Sequence, residues 1–176
     1  MTLKKWKKIS CIGIFLISAL LHFIYDWFPN FLTSLFFPVN ESIWEHNKII
    51  VGAFFIWAIV EKAYFKKSKN IFFSESIASL ICILLVLSIF TPVYLYLLKT
   101  KDNMLITFAI YLFSIFLSQI ISYHLLQKNS NSKLEKGGIC LFLLLIVLNM
   151  IFTYFPLKIA IFYDFAKNGY GIFYNS

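Results

Sequence analysis

Polar positions are rare in this chain, and their spacing divides it into five long apolar stretches. These run over about residues 9–28, 43–64, 76–98, 104–126 and 139–155. Each reaches the 17–25 residues that cross a hydrocarbon core of about 30 Å as a helix. The short alternating segments of a β-barrel are absent. The pattern predicts an all-α polytopic membrane bundle of about five transmembrane helices in one domain, 1–176, with no room for a second.

The connections refine this picture. Lys99-Thr100-Lys101-Asp102-Asn103 is a short turn, with Asn103 or Asp102 as N-cap of the fourth span. Thr91-Pro92 predicts a kink near the end of the third span. Ser114, Ser118 and Ser122, with Gln119 beside them, form a stripe of small polar residues that predicts a close helix–helix interface. Asn149 is expected to make a further interhelical bond. Residues 29–39, bounded by Pro29 and Pro38 and rich in Phe and Leu, are too apolar for a water loop. They predict an interfacial or re-entrant segment. Residues 156–176 carry Lys158, Asp164, Lys167 and an Asn168-Gly169 turn among aromatics, so an interfacial tail is expected in place of a sixth span.

Composition sharpens the class. Sixty per cent of the 176 residues are hydrophobic and 20% aromatic, beyond what a soluble domain of this size needs. The net charge of +8 comes from sixteen lysines without one arginine. The lysines cluster at span ends, which argues for topology and against nucleic acid. An inside amino terminus leaves eleven lysines inside and five outside, so N-in, C-out is expected. Localisation in a cytoplasmic membrane, surrounded by lipid, follows. Lys4-Lys5-Trp6-Lys7-Lys8 resembles a signal-peptide start, but the apolar run is long and ends in Tyr25-Asp26-Trp27-Phe28-Pro29, so a retained helix is expected. Cys11, Cys82 and Cys140 stand alone in apolar segments, as packing residues.

Chemistry concentrates at the expected outer face. His22 and Asp26 are four apart and share a helix face. Glu41, Glu45, His46 and Lys48 follow within Pro38–Lys48, and Asp164 lies in the tail. Charges in a membrane helix cost free energy and mark function by default. A His/carboxylate set suits a divalent ion such as zinc or manganese, general acid/base work, or a proton relay. Structural roles stand beside these. Ser42-x-x-Glu45 is a capping box, His22–Asp26 can be a bonded pair locking two spans, and Trp27 and Trp44 suit an interfacial belt. His124 reads as a helix-end histidine. No Walker loop, serine elbow or HExxH is present.

His22-Phe23-Ile24-Tyr25-Asp26-Trp27, Pro38-Val39-Asn40-Glu41-Ser42-Ile43-Trp44-Glu45-His46-x-Lys48, and Phe162-Tyr163-Asp164 with Gly169-Tyr170-Gly171 resemble an uncharacterised family of small bacterial multi-pass membrane proteins. The resemblance covers nearly the whole chain. It implies that the position of Asp26 takes Asp or Glu. Its usual proline after the terminal Asp is Phe165 here. It carries no assigned activity.

The favoured expectation is a metal site of His22, Asp26, His46 and Asp164. Glu41 or Glu45 would be general base and Lys48 a phosphate or charge-stabilising group, in hydrolysis or transfer on a lipid-like or envelope substrate. A small proton- or ion-coupled transporter or exporter component working as a homo-oligomer is the alternative. A structural membrane subunit is the third reading.

Overall fold

The structure, a computed structural model, describes residues 1–66, 68, 70–101, 103–129 and 131–172. Lys67, Lys69 and Asp102, used above for topology and capping, lie outside the described residues. The helices are α1 (Leu3–Trp27), α2 (Phe31–Phe36), α3 (His46–Tyr64), α4 (Ile71–Pro92), α5 (Met104–Leu126) and α6 (Ser132–Tyr154). A π-helical turn, Val93–Leu97, extends α4. A 3-10 turn at Ala160–Phe162 leads into a hairpin of β1 (Tyr163–Asp164) and β2 (Gly169–Tyr170). The chain is an all-α bundle and a membrane protein. Four helices, α1, α4 with its extension, α5 and α6, are long and apolar enough to cross a bilayer.

The fifth long helix, α3, has 19 residues and runs antiparallel to α1. Trp6 packs on Trp57 at one end, and His22 lies against His46 at the other. At about 1.5 Å per residue the 19 residues of α3 span about 28 Å, close to the roughly 30 Å of a hydrocarbon core. A larger share of the residues of α3 is buried than in its neighbours. Its inward residues include Ile50, Ala53, Phe54 and Ala58. Lipid-facing apolar residues stay exposed at helical spacing on the outer helices, as with Ile9, Ile12, Leu16, Leu20 and Phe23 of α1. Lipid is as apolar as a core, so these residues need no protein cover.

Helix starts depart from the pattern-based limits. α1 begins at Leu3, not residue 9, capped by the Thr2 side chain accepting from Lys5 N–H. α4 begins at Ile71, five residues early, and α6 at Ser132, seven early. The polar first turn of α6 and the Ser74-Glu75-Ser76 run inside α4 hid the two starts. Asn70 binds the Lys128 and Asn129 carbonyls and accepts from Asn131 N–H, tying the α4 start to the α5–α6 turn. Glu135 of α6 accepts from Phe72 N–H at the α4 N-terminus, where a carboxylate is favourable, and also pairs with Lys62. Gly138 seats α6 on α4: a Cβ there would lie 2.2 Å from Phe73 N.

Other expectations resolve locally. Asn103 caps α5 through Ile106 N–H. Thr91-Pro92 leads into the π-helical turn. Asn149 bonds the Leu145 carbonyl of its own helix, and among the described residues it makes no interhelical bond of the kind expected. Residues 31–36 form a short amphipathic helix, with Ser34 hydrogen-bonded to Tyr154 of α6. Asn168 adopts a positive φ of 56° at the tail's Asn-Gly turn.

Candidate metal site at one end of the bundle

The loop between α2 and α3 is held by the tail. Trp44 N–H donates to the Ile161 carbonyl, and its indole stacks on Phe162 with centroids 4.6 Å apart. Trp44 is half-buried against the tail, whereas Trp27 is exposed. Asn40 Nδ2 donates to the Gly171 carbonyl at 2.7 Å. Asp164, fully buried, accepts from Glu41 N–H through Oδ2 and from Ala166 and Lys167 N–H through Oδ1. Its carboxylate is spent on backbone, and it fixes where Glu41 stands.

Glu41 thereby faces both histidines. His46 Nε2 lies 3.4 Å from Glu41 Oε2, and His22 Nε2 lies 4.0 Å from Glu41 Oε1. One potential ligand atom from each of the three lies within 4.8 Å of the other two. The imidazoles are 5.3 Å apart between centroids. The orientation of His46 follows from its partner. Its Nδ1 sits 2.8 Å from the Ser42 carbonyl, an acceptor only, so Nδ1 carries the hydrogen. Nε2 therefore faces Glu41, where it donates to the carboxylate when the ring is protonated and offers a lone pair to an ion when the ring is neutral. Ligands about 2.0–2.1 Å from a tetrahedral ion stand about 3.3 Å apart, so small side-chain rotations close this set on one ion. The His46 contact holds the Glu41 carboxyl down at about 2, well below its usual 4.5. The group is an anion at every physiological pH.

Below the three residues lies a cavity of about 520 Å³ between α1, α3, α4 and α5. Its walls are mostly apolar, with Phe15, Phe23, Ile50, Phe90 and Phe108 among them. His22, Glu41 and His46 form its polar rim, and Ser18 and Tyr111, 2.6 Å apart, supply a polar spot deeper in. A largely apolar pocket with a few converging polar groups is the usual form of a small-molecule site.

Not every sequence candidate reaches this cluster. Asp26 lies one turn beyond His22, and among the described residues the two form no hydrogen bond or ion pair. Glu45 and Lys48 are drawn elsewhere. Lys48 Nζ contacts Glu45 Oε2 at 2.8 Å and the Ser34 and Phe37 carbonyls at 2.7 and 3.2 Å. Its three donors are therefore all used, and none remains for a phosphate. Glu45 also accepts from Val39 N–H and from the Thr153 hydroxyl. The pair is 2–3% exposed and clamps α2, α3 and α6. The capping box is only half made: Glu45 N–H reaches Ser42 Oγ at 3.4 Å, but the Glu45 carboxylate turns inward.

A second polar cluster, unexpected from sequence, lies at the opposite end. Lys7 of α1 reaches Glu61 of α3, Glu75 of α4 and Ser122 of α5. Gln119 and Ser122 both donate to Glu75. The serine stripe is thus a packing face, as expected, and also part of this site. Placing the third span's start after Glu75 put that acid in water. A signal was available in the facing Gln119 and Ser122, which need a polar partner across a membrane interface.

A model of a family of unknown function, DUF6512, matches residues 1–172, and the chain belongs to that family. No curated protein and no solved structure matches it.

Proposed function

We propose that this member of the DUF6512 family is a divalent-metal site protein of a bacterial cytoplasmic membrane, amino terminus inside, that hydrolyses or transfers a lipid-like or envelope substrate. The convergence of His22, Glu41 and His46 on the rim of an apolar cavity carries the reading. Two imidazoles and a carboxylate with an open fourth position make the donor set of a catalytic zinc or manganese centre. Such an ion supplies a nucleophilic water at neutral pH and polarises a carbonyl or phosphoryl oxygen. The chain's own contribution is placement. The Ser42 carbonyl fixes the His46 ring, and Asp164 fixes the Glu41 backbone. Such outer contacts commonly tune metal affinity by 10–100-fold. The cavity would take the hydrocarbon part of the substrate and leave its polar group at the rim.

Elemental analysis of protein purified in mild detergent tests this. About one equivalent of zinc or manganese is expected, and a His22→Ala/His46→Ala variant should lose it while keeping its helical circular dichroism. No metal after reconstitution with either ion would end the metal reading. An Ala19→Trp variant, filling the cavity, should keep the metal and lose binding of a long-chain lipid probe.

The transporter alternative is favoured by one separate observation, the charged cluster of Lys7, Glu61 and Glu75 inside the bundle. A five-helix chain would serve that role as a homo-oligomer.

A further inference from the structure

The Lys7 cluster poses a problem of charge. Glu61 and Glu75 are each 0% exposed and Lys7 is 5% exposed. Two carboxylates facing one ammonium leave one uncompensated negative charge if both ionise. Away from water such an uncompensated charge is strongly disfavoured. The other groups around the cluster do not offset it. Ser122 and Gln119 of α5 are neutral, Cys11 of α1 is a thiol, and Glu135 of α6 is engaged with Lys62.

The hydrogen bonds show which carboxylate is short of donors. Lys7 has three N–H groups, and they go to Glu61 Oε2, Glu75 Oε1 and Ser122 Oγ. Glu75 collects two more donors, from Ser122 on Oε1 and Gln119 on Oε2. Glu75 is therefore bonded on both oxygens as an anion. Glu61 receives one bond. Its Oε1 lies 2.8 Å from Lys7 Nζ but outside hydrogen-bonding direction, and has no donor. Gln119 Oε1, also buried, is likewise an acceptor without a donor. Buried acceptors without donors are rare in native structures and call for an unseen hydrogen.

We propose that Lys7, Glu61 and Glu75 form a one-proton binding site inside the bundle, with the proton on Glu61. One proton makes the cluster neutral and gives Glu61 a donor of its own. The ligand of the site is a proton, and the site lies far from the histidine cluster, at the other ends of α1 and α3. It rests on neither the metal nor the lipid reading.

Infrared spectroscopy of the detergent-solubilised protein tests it. A protonated-carboxyl C=O band is expected at neutral pH and should shift on exchange into heavy water. Glu61→Gln should abolish the band while leaving thermal stability nearly unchanged, since the amide mimics the neutral acid. Glu75→Gln should also abolish it, because Glu61 then pairs one-to-one with Lys7. Glu41→Gln should leave it intact. Absence of the band from the wild-type protein at neutral pH would overturn the proposal, as would its persistence in Glu61→Gln.

Discussion

At the residue scale, the conspicuous motif splits into two jobs. Glu41 and His46 face the cavity, whereas Glu45 and Lys48, one turn away, face the protein. Their neighbourhood in sequence hides this because adjacent helical residues point about 100° apart. For Lys48→Met the expectation is a loss of about 3–5 kcal/mol, since Glu45 would keep a buried charge without its cation. The Lys48→Met/Glu45→Gln double variant should recover part of it, read by thermal unfolding in detergent. The sign of the pH effect at Glu41 follows from its lowered titration, to about 2. The stabilising contact, from the protonated His46 ring to the carboxylate, is present above the usual carboxylate range near 4.5 while the ring holds its proton, and is lost as pH falls from there toward 2. The stability gap between wild type and Glu41→Gln should therefore narrow over that acid window. Metal affinity has its own pH dependence: protons compete for His22 and His46, so binding should weaken on acidification.

At the element scale, close approach of small residues decides how the helices fit. Gly138 lets α6 meet the α4 backbone, and Gly13 admits the Trp57 ring, which a Cβ would approach to 2.1 Å. Gly138→Leu is expected to lower the melting temperature clearly, by wedging α6 from α4, while Gly137→Leu, with open space around it, should not. The α5 limits, Met104–Leu126, were legible in full because an Asn cap precedes an uninterrupted apolar run. The starts of α4 and α6 were not, because polar residues satisfied by tertiary partners, at Asn70 and Ser74-Glu75-Ser76 of α4 and in the first turn of α6, look like loops in sequence. Asn70 and Glu135 show the effect: each reads as a water-exposed polar residue and each is bonded across elements.

At the scale of the whole molecule, the bundle separates two polar sites along its length. The lysine asymmetry predicts which end faces the cytoplasm, and a membrane-impermeant amine reagent applied to intact cells checks it. Lys101, Lys158 and Lys167 should react, and Lys4, Lys128 and Lys133 should not; the reverse pattern would invert the topology. Apolar periodicity by itself determined the membrane class, the helical bundle and the approximate spans, because a bilayer demands long apolar helices whatever the neighbours. The convergence of His22 with Glu41 and His46 was foreshadowed by their rarity, since ionisable groups near a membrane need partners. Which carboxylates join them was decided only by tertiary structure. Asp164 reaches Glu41 from 123 positions away, and Lys7 meets Glu75 from 68 away. Partners at that separation leave no periodic trace in a sequence, because they are selected by which helix faces pack together.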